Sequence, residues 1–233
     1  MKIQTYIALS GKYTRRHADR LVTEGKVFVN GTKAKPGQVI SENDTVKVNN
    51  EIINPTTDDS VQVLRLFKPR GYICSRADPE GRKTVFSLLP STKGRSWISI
   101  GRLDINTEGL LLFTNSGQFA NKLMHPSSNL SRIYQARTFG NKLTLAQIKS
   151  IESGIKVDNV TYKAKSINLK NSSGSHHHYE IHLNEGKNRE IHNIFNYFGI
   201  KVSRLKRTGY ANITLKGLRS RHFDFIDYKS IEI

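Results

Sequence analysis

Gly101-Arg102-Leu103-Asp104-Ile105-Asn106-Thr107-Glu108-Gly109 lies between two apolar runs, Trp97-Ile98-Ser99-Ile100 and Leu110-Leu111-Leu112-Phe113. The runs read as buried strands. Asp104 therefore rides a short connection, bracketed by glycines and held at both ends by a sheet, which is a rigid mount for a carboxylate. Taken alone, these residues leave two readings open. Asp104 can be an aspartate that caps a turn, or it can be a reactive anion set in strongly basic surroundings.

Outward from this stretch, the chain divides by pattern. Residues 1–50 form a small unit. Ile3, Tyr6, Ile7 and Leu9 keep a helical spacing, and a second helix opens at Thr14, a good N-cap, carrying Ala18, Leu21 and Val22 on one face until Gly25 stops it. Val27-Phe28-Val29 leads into Asn30-Gly31, a strong hairpin signal, and a Pro36-Gly37 turn and the alternating Val46-Lys47-Val48 complete the unit. Residues 51–60 are polar and acidic with one proline and read as a linker. From residue 61 to 233 short strands alternate with three helix candidates: Gln118–Met124, Thr144–Ser153 and Asn188–Phe198. The last shows Ile191, Ile194, Phe195 and Phe198 on one stripe. Strands are expected over Ile133–Arg137, Val160–Ala164 and Tyr179–Leu183. Asn171 to His178, with three consecutive histidines, reads as a solvated polar hairpin loop. The absence of regular crossover helices points to an α+β protein built on a mixed or antiparallel sheet, with a small α+β unit in front of it.

Charge narrows the partners. Lys and Arg number 37 against 19 Asp and Glu, a formal net charge of +18. The first 50 residues hold nine basic and four acidic side chains, and residues 61–233 hold 28 and 12. Both units are thus basic while the segment between them is not, which suits a polyanion gripped at two places. Nucleic acid fits better than a membrane surface, which would call for a one-sided basic amphipathic helix. No apolar run approaches the ~20 residues that span a bilayer, and Met1-Lys2-Ile3-Gln4-Thr5 lacks a signal-peptide core, so a cytoplasmic protein is expected. The lone Cys74 excludes an internal disulfide and an all-cysteine metal cage, and reads as a strand residue. No phosphate-binding glycine loop or metal-ligand cluster is visible, so no cofactor and no metal are expected.

Two resemblances organise these observations. Tyr13-Thr14-Arg15-Arg16, Asp19-Arg20-Leu21-Val22 and Glu24-Gly25-Lys26-Val27-Phe28-Val29-Asn30-Gly31 resemble the small RNA-binding module first seen in ribosomal protein S-four. That resemblance implies that Lys12, Arg15, Arg16 and Arg20 touch RNA. The larger part is similar to the RsuA/RluB family of pseudouridine synthases. The match rests on Lys68-Pro69-Arg70-Gly71-Tyr72-Ile73-Cys74-Ser75, on the stretch from Gly101 to His125-Pro126, and on Glu185-Gly186-Lys187-Asn188-Arg189-Glu190-Ile191 with Phe198-Gly199 and Val202-Ser203-Arg204-Leu205 behind it.

The family resemblance implies isomerisation of a uridine in ribosomal RNA: the N1–C1′ bond breaks and a C5–C1′ bond forms. Asp104 is the implied catalytic carboxylate, whether it adds to the ring, attacks C1′ or takes the C2′ proton. Tyr134 matches the aromatic residue of the family site and would stack the extruded base. Arg102 could hold Asp104 ionised, contact phosphate or fill the gap left by the flipped base. Family members usually carry Lys or Arg six residues after the glycine of the third block, where it pairs with the aspartate; here that position is His192, and Arg189 lies one helical turn earlier. His192, Arg189 or another basic residue is the implied partner. Asn188-Arg189-Glu190 resembles the branch that acts on large-subunit RNA. The small-subunit RNA is the alternative target, and an idle RNA-binding or ribosome-assembly factor on the same fold is the alternative function. The implied partner is ribosomal RNA or an assembly intermediate, not DNA or membrane, and the protein is expected to be a monomer.

Overall fold

Thr14 sets the start of the helix that carries the first unit's basic face. Its side-chain oxygen accepts the backbone N–H of His17, serving one of the amides that the first helical turn leaves without a partner. α1 (Ile3–Leu9) lies before this cap and α2 (Arg15–Thr23) after it, with Ala18, Leu21 and Val22 buried as the spacing predicts. β1 (Val27–Val29) and β2 (Thr32–Lys33) form the expected hairpin, and Asn30 and Gly31 both take the positive φ that such a turn demands. β3 (Val46–Val48) and β4 (Glu51–Ile52) complete a sheet of order β2-β1-β3-β4. β4 falls in the stretch read from sequence as a linker. Glu51 and Ile52 pair with β3, and Ile53 behind them is buried in the small core. The polar composition of 51–60 concealed this two-residue edge strand.

In this computed structural model residues 1–41, 43–55, 60–92 and 96–233 are described, so residues 56–59 of the expected linker lie outside the described residues. Two units result, Met1–Val61 with Pro90–Trp97, and Gln62–Leu89 with Ile98–Ile233.

The second unit runs β5 (Val63–Lys68), β6 (Ile98–Ile100), β7 (Thr107–Thr114), α3 (Gly117–Met124), β8 (Arg132–Phe139), α4 (Leu145–Ser153), β9 (Ile155–Val157), β10 (Val160–Tyr162), β11 (Ser166–Ser173), β12 (His176–Leu183), α5 (Glu190–Tyr197), β13 (Lys201–Tyr210), β14 (Ile213–Thr214) and β15 (Phe223–Ile226). The main sheet has the order β11-β12-β8-β13-β7-β5-β15, with β6 added on β7 and β14 on β13. Only the β13–β7 pair is parallel among these neighbours, so the sheet is mixed and the α+β reading holds. β7 is central: Leu110, Leu111, Leu112 and Phe113 have no exposed surface. A strand covered on both faces reads as an unbroken apolar run, and Leu110–Phe113 is one.

Helix ends follow local chemistry. Ser116 caps α3, and Thr144 with Gln147 forms a capping box on α4, which Gly154 ends at φ +115°. α5 buries Ile191, Ile194 and Phe195. It starts two residues later than the pattern predicts, because Arg189 sits before it in the left-handed region at φ 48°, where a residue cannot propagate a right-handed helix.

The histidine segment differs from its sequence reading. It is not a solvated loop: β11 and β12 run through it and leave only Gly174 and Ser175 as the turn. His177 is buried, its two ring nitrogens engaged by Ser172 Oγ at 2.8 Å and the Gly140 carbonyl oxygen at 3.1 Å. Strand alternation sends its neighbours His176 and His178 to the other face. No metal-holding cluster is present among the described residues.

Gly109 allows the one close approach on which the site depends. It stands at φ +112°, and an added Cβ would lie 2.2 Å from the Arg207 carbonyl oxygen. Only glycine lets the parallel strands β7 and β13 meet at this row.

Candidate active site

The turn between β6 and β7 is fixed from beneath. Lys68, at the end of β5, has no exposed surface. Its ammonium donates to four carbonyl oxygens: Thr107 at 2.7 Å, Asp104 at 3.0 Å, Pro69 at 3.1 Å and Ile105 at 3.3 Å. An ammonium has three N–H groups, so one of them is shared between two acceptors. Three of these carbonyls belong to the Asp104 turn. The Cys74 thiol accepts the Leu103 N–H at 3.4 Å and donates to the Leu103 carbonyl at 3.3 Å, and Gly71 N–H reaches the Ile105 carbonyl at 2.8 Å. The backbone on both sides of Asp104 is thereby committed. Burial pushes the Cys74 thiol above its ordinary value, which keeps it protonated and suits a structural rather than a nucleophilic role. Burial likewise pushes Lys68 down to about 8, while the ring of carbonyls favours its charged form.

Asp104 itself is exposed, and among the described residues its carboxylate forms no ion pair or hydrogen bond. It borders a cavity of about 650 Å³ whose walls include Arg102, Tyr134, Arg189, His192, Leu205 and Arg207. The structure therefore brings together every residue that the sequence singled out for catalysis or substrate contact. A second recess of about 220 Å³ shares Asp104, Arg189, His192 and Leu205. The larger volume is of the order that accommodates a nucleotide-sized ligand. Tyr134 is nearly buried on β8 and stands opposite Arg207 of β13 in register. Leu205 lies in register with Thr107 across the parallel pair.

Neither candidate cation touches the aspartate. Burial and the neighbouring Arg189 charge hold the His192 imidazole below its usual pKa, against an opposing pull from Asp104, so His192 is neutral at pH 7. Arg189 is exposed and in strained left-handed backbone, a conformation that costs on the order of 1–3 kcal/mol and concentrates at functional sites.

Buried polar atoms without partners mark the same cavity. Asn184 Oδ1, Glu190 Oε1, His192 Nδ1 and Arg207 Nη2 have no hydrogen bond among the described residues, and all four residues line it. Such groups are costly when left unmet, so a polar ligand gains by meeting them. Arg207 is buried, with Nε donating to the Leu110 carbonyl at 2.7 Å. Arg132 donates to the Leu130 and Asn184 carbonyls, both at 2.8 Å. Glu190 accepts the Lys187 N–H at 3.1 Å, and burial pushes its carboxyl up to about 7. Sequence reasoning missed Lys68, Arg132, Glu190 and Arg207 as site residues. For Lys68 a signal existed: in Val63–Lys68 the alternation puts residue 68 on the same side as buried Leu64 and Leu66.

In the small unit Arg15, Arg16 and Arg20 are exposed along α2. Arg20 lies 3.7 Å from Glu24, and Lys12 pairs with Glu51. The free cations of that face are thus Arg15 and Arg16 among the described residues.

The comparisons with known proteins agree with this geometry. The model of the RNA pseudouridylate synthase family matches residues 62–197, and that of the S4 domain matches residues 1–46. The chain belongs to the RNA pseudouridylate synthase family. Among its relatives is the ribosomal large subunit pseudouridine synthase B of Haemophilus influenzae, 40% identical over 99% of this chain and 66% of that protein. Those of Vibrio cholerae, 38% identical over 92% of this chain and 67% of the relative, and of Escherichia coli, 37% identical over 93% and 76%, carry the same name. The chain spans about two thirds of the length of the first two. A crystal structure of a pseudouridylate synthase shares the fold, with a TM-score of 0.67 over 98% of this chain and 97% of that one at 22% identity.

Two variants test the site. Lys68→Met keeps the apolar stem and removes the donors; a turn free to shift by about an ångström lowers the single-turnover rate ~100-fold while RNA affinity changes little. The Glu190 carboxyl is raised in the fold, so between its ordinary 4.5 and about 7 the folded state binds more protons and stability falls as pH rises. Glu190→Gln removes that slope. It flattens the pH dependence of the unfolding free energy, read from denaturant melts between pH 5 and 8, by up to about 3 kcal/mol.

Proposed function

We propose that this chain isomerises a uridine of large-subunit ribosomal RNA to pseudouridine, with Asp104 as the reacting carboxylate. The observation that carries the reading is a carboxylate without an ion pair among the described residues, on a turn whose backbone is held by Lys68, at the edge of a cavity walled by Tyr134 and Leu205. The relatives' names point to the large subunit.

The chemistry needs little else. The uridine leaves its helical stack, at a cost of a few kcal/mol. Its ring rests on the Tyr134 face, which returns ~1–3 kcal/mol. Asp104 meets the sugar or the ring, the N1–C1′ bond opens, the detached uracil turns, and C5 joins C1′. The C5 hydrogen departs as a proton and N1 acquires one, so no electrons are gained or lost overall. A base that turns while detached needs polar contacts that tolerate both orientations. Arg207 and Asn184, each with an unmet buried polar atom, supply a donor and an acceptor for this. Arg102 and Arg189, both exposed, hold flanking phosphates. His192, neutral beside Asp104, contributes a hydrogen bond rather than a charge.

Lys12, Arg15, Arg16 and Arg20 of the small unit grip RNA. In this reading the chain works as a monomer in the cytoplasm, without a cofactor, on ribosomal RNA or an assembly intermediate. No helix among the described residues is long and apolar enough to cross a membrane.

Asp104→Asn is expected to abolish pseudouridine formation while leaving RNA affinity close to wild type, since affinity comes from the basic surfaces. Pseudouridine mapping of ribosomal RNA from cells lacking the protein should show one or a few sites missing, restored by wild type and not by Asp104→Asn. A map that does not change points instead to an idle RNA-binding factor.

A further inference from the structure

The sheet has a second face that the proposed reaction does not use. Tyr134, Leu205 and Arg207 line the cavity and Ala136 is buried on the same side, so alternation turns Gln135, Arg137, Phe139 and Lys206 to the opposite side. Arg204, next to the strand irregularity at Val202, also borders the recess beside Asp104 and so stands at the rim of that face. There the four neighbouring strands β11, β12, β8 and β13 present an open surface. Phe139 is 50% exposed, with its ring 5.4 Å from that of His176. Lys201 faces Phe139 in register, Arg137 faces Arg204 on one side and His178 on the other, and Gln135 faces Lys206. Lys206 lies 4.9 Å from the centre of the Phe67 ring. Successive rows are ~7 Å apart along the strands, and neighbouring strands ~4.8 Å apart.

The charge is weakly countered. Arg204 reaches Glu108 only at 3.5 Å, and Arg137 Nε has no partner among the described residues. Glu180 is held by Lys170 at 3.0 Å. Placing Arg137 directly across from Arg204 is unfavourable by itself and becomes favourable when an anion lies between them. An exposed phenylalanine beside a half-buried histidine, one row from paired arginines on a four-stranded antiparallel surface, suits an unstacked base on the phenyl ring and phosphates on the cations.

We propose that this face binds a single-stranded or loop segment of RNA, a second contact on the side of the sheet away from the cavity. A base lies on Phe139, beside His176, and phosphates on Arg137, Arg204 and Lys206. The proposal rests on the reading that the chain acts on ribosomal RNA and adds to it where a further part of the same RNA is held.

The test uses the full chain, a transcript of large-subunit ribosomal RNA, and a short oligouridine. Phe139→Ser should weaken oligouridine binding about tenfold, the loss of one stacked base. Substituting glutamine at Arg137, Arg204 and Lys206 together should lower the log–log salt slope by about two, as expected for three lost single-strand phosphate contacts. Unchanged affinity and slope in both variants would overturn the proposal. So would normal binding to RNA combined with lost retention on ribosomal precursor particles, which would mark a protein-binding face. Pseudouridine formed on the transcript by wild type and by Phe139→Ser reports the catalytic reading separately. Its absence with wild type would remove that reading without altering the binding result.

Discussion

A buried lysine ammonium bonded to carbonyl oxygens of the Asp104 turn is the interaction on which the site depends. Taking a cation out of water costs several kcal/mol, and a partner set with good geometry is needed to offset it. Lys68 obtains that set from Pro69 and from Asp104, Ile105 and Thr107. The arrangement works in both directions. The carbonyls satisfy the ammonium, and the ammonium prevents the turn from relaxing into another conformation. The turn's backbone is engaged by Lys68, Cys74 and Gly71, while among the described residues the Asp104 carboxylate has no hydrogen bond or ion pair. If Asp104 reacts as proposed, an anion held this way loses little entropy when the substrate arrives.

Around it the strands supply shape and the basic groups supply field. Gly109 brings β7 against β13, which sets Leu205 and Arg207 beside the turn. Tyr134 comes across from β8, and the strained backbone at Arg189 presents the start of α5. Several buried polar atoms lining this cavity have no hydrogen-bond partner among the described residues. In an ordinary core that would be a defect; around a substrate that must turn while bound, it is capacity for hydrogen bonds. The formal charge of +18 draws the polyanion, and the shape decides which nucleotide can react.

Much of this was legible in the sequence, and the exceptions share a cause. Two apolar runs bracketing glycines place the Asp104 turn. Thr14, Thr144 and the stripe Ile191, Ile194, Phe195 place helices, since caps and periodicity are local properties. Asp104, Tyr134, Arg102, Arg189 and His192 share one cavity, as the resemblance implied. Lys68 and Arg207 were passed over because a cation in a strand is ordinarily solvated; for Lys68 the alternation with buried Leu64 and Leu66 was a local signal, whereas Arg207 is buried by neighbouring strands that no local pattern contains. The same holds for His177. A polar run reads as a loop until its pairing with β8 and its contacts to Ser172 and Gly140 are known. β4 was missed because two residues are too few to show alternation. His192 could be placed from sequence but not assigned a charge, because its neutrality comes from burial and from Arg189.

The most direct test of this account is a structure of the full chain bound to its target RNA. The account predicts one uridine out of its stack, its uracil against Tyr134, and an Asp104 oxygen ~3–3.5 Å from a reacting carbon of that nucleoside, with the Lys68 ammonium still bonded to the turn. A uridine bound elsewhere, or an Asp104 carboxylate turned away to pair with Arg189 while the nucleotide sits in the cavity, would contradict it.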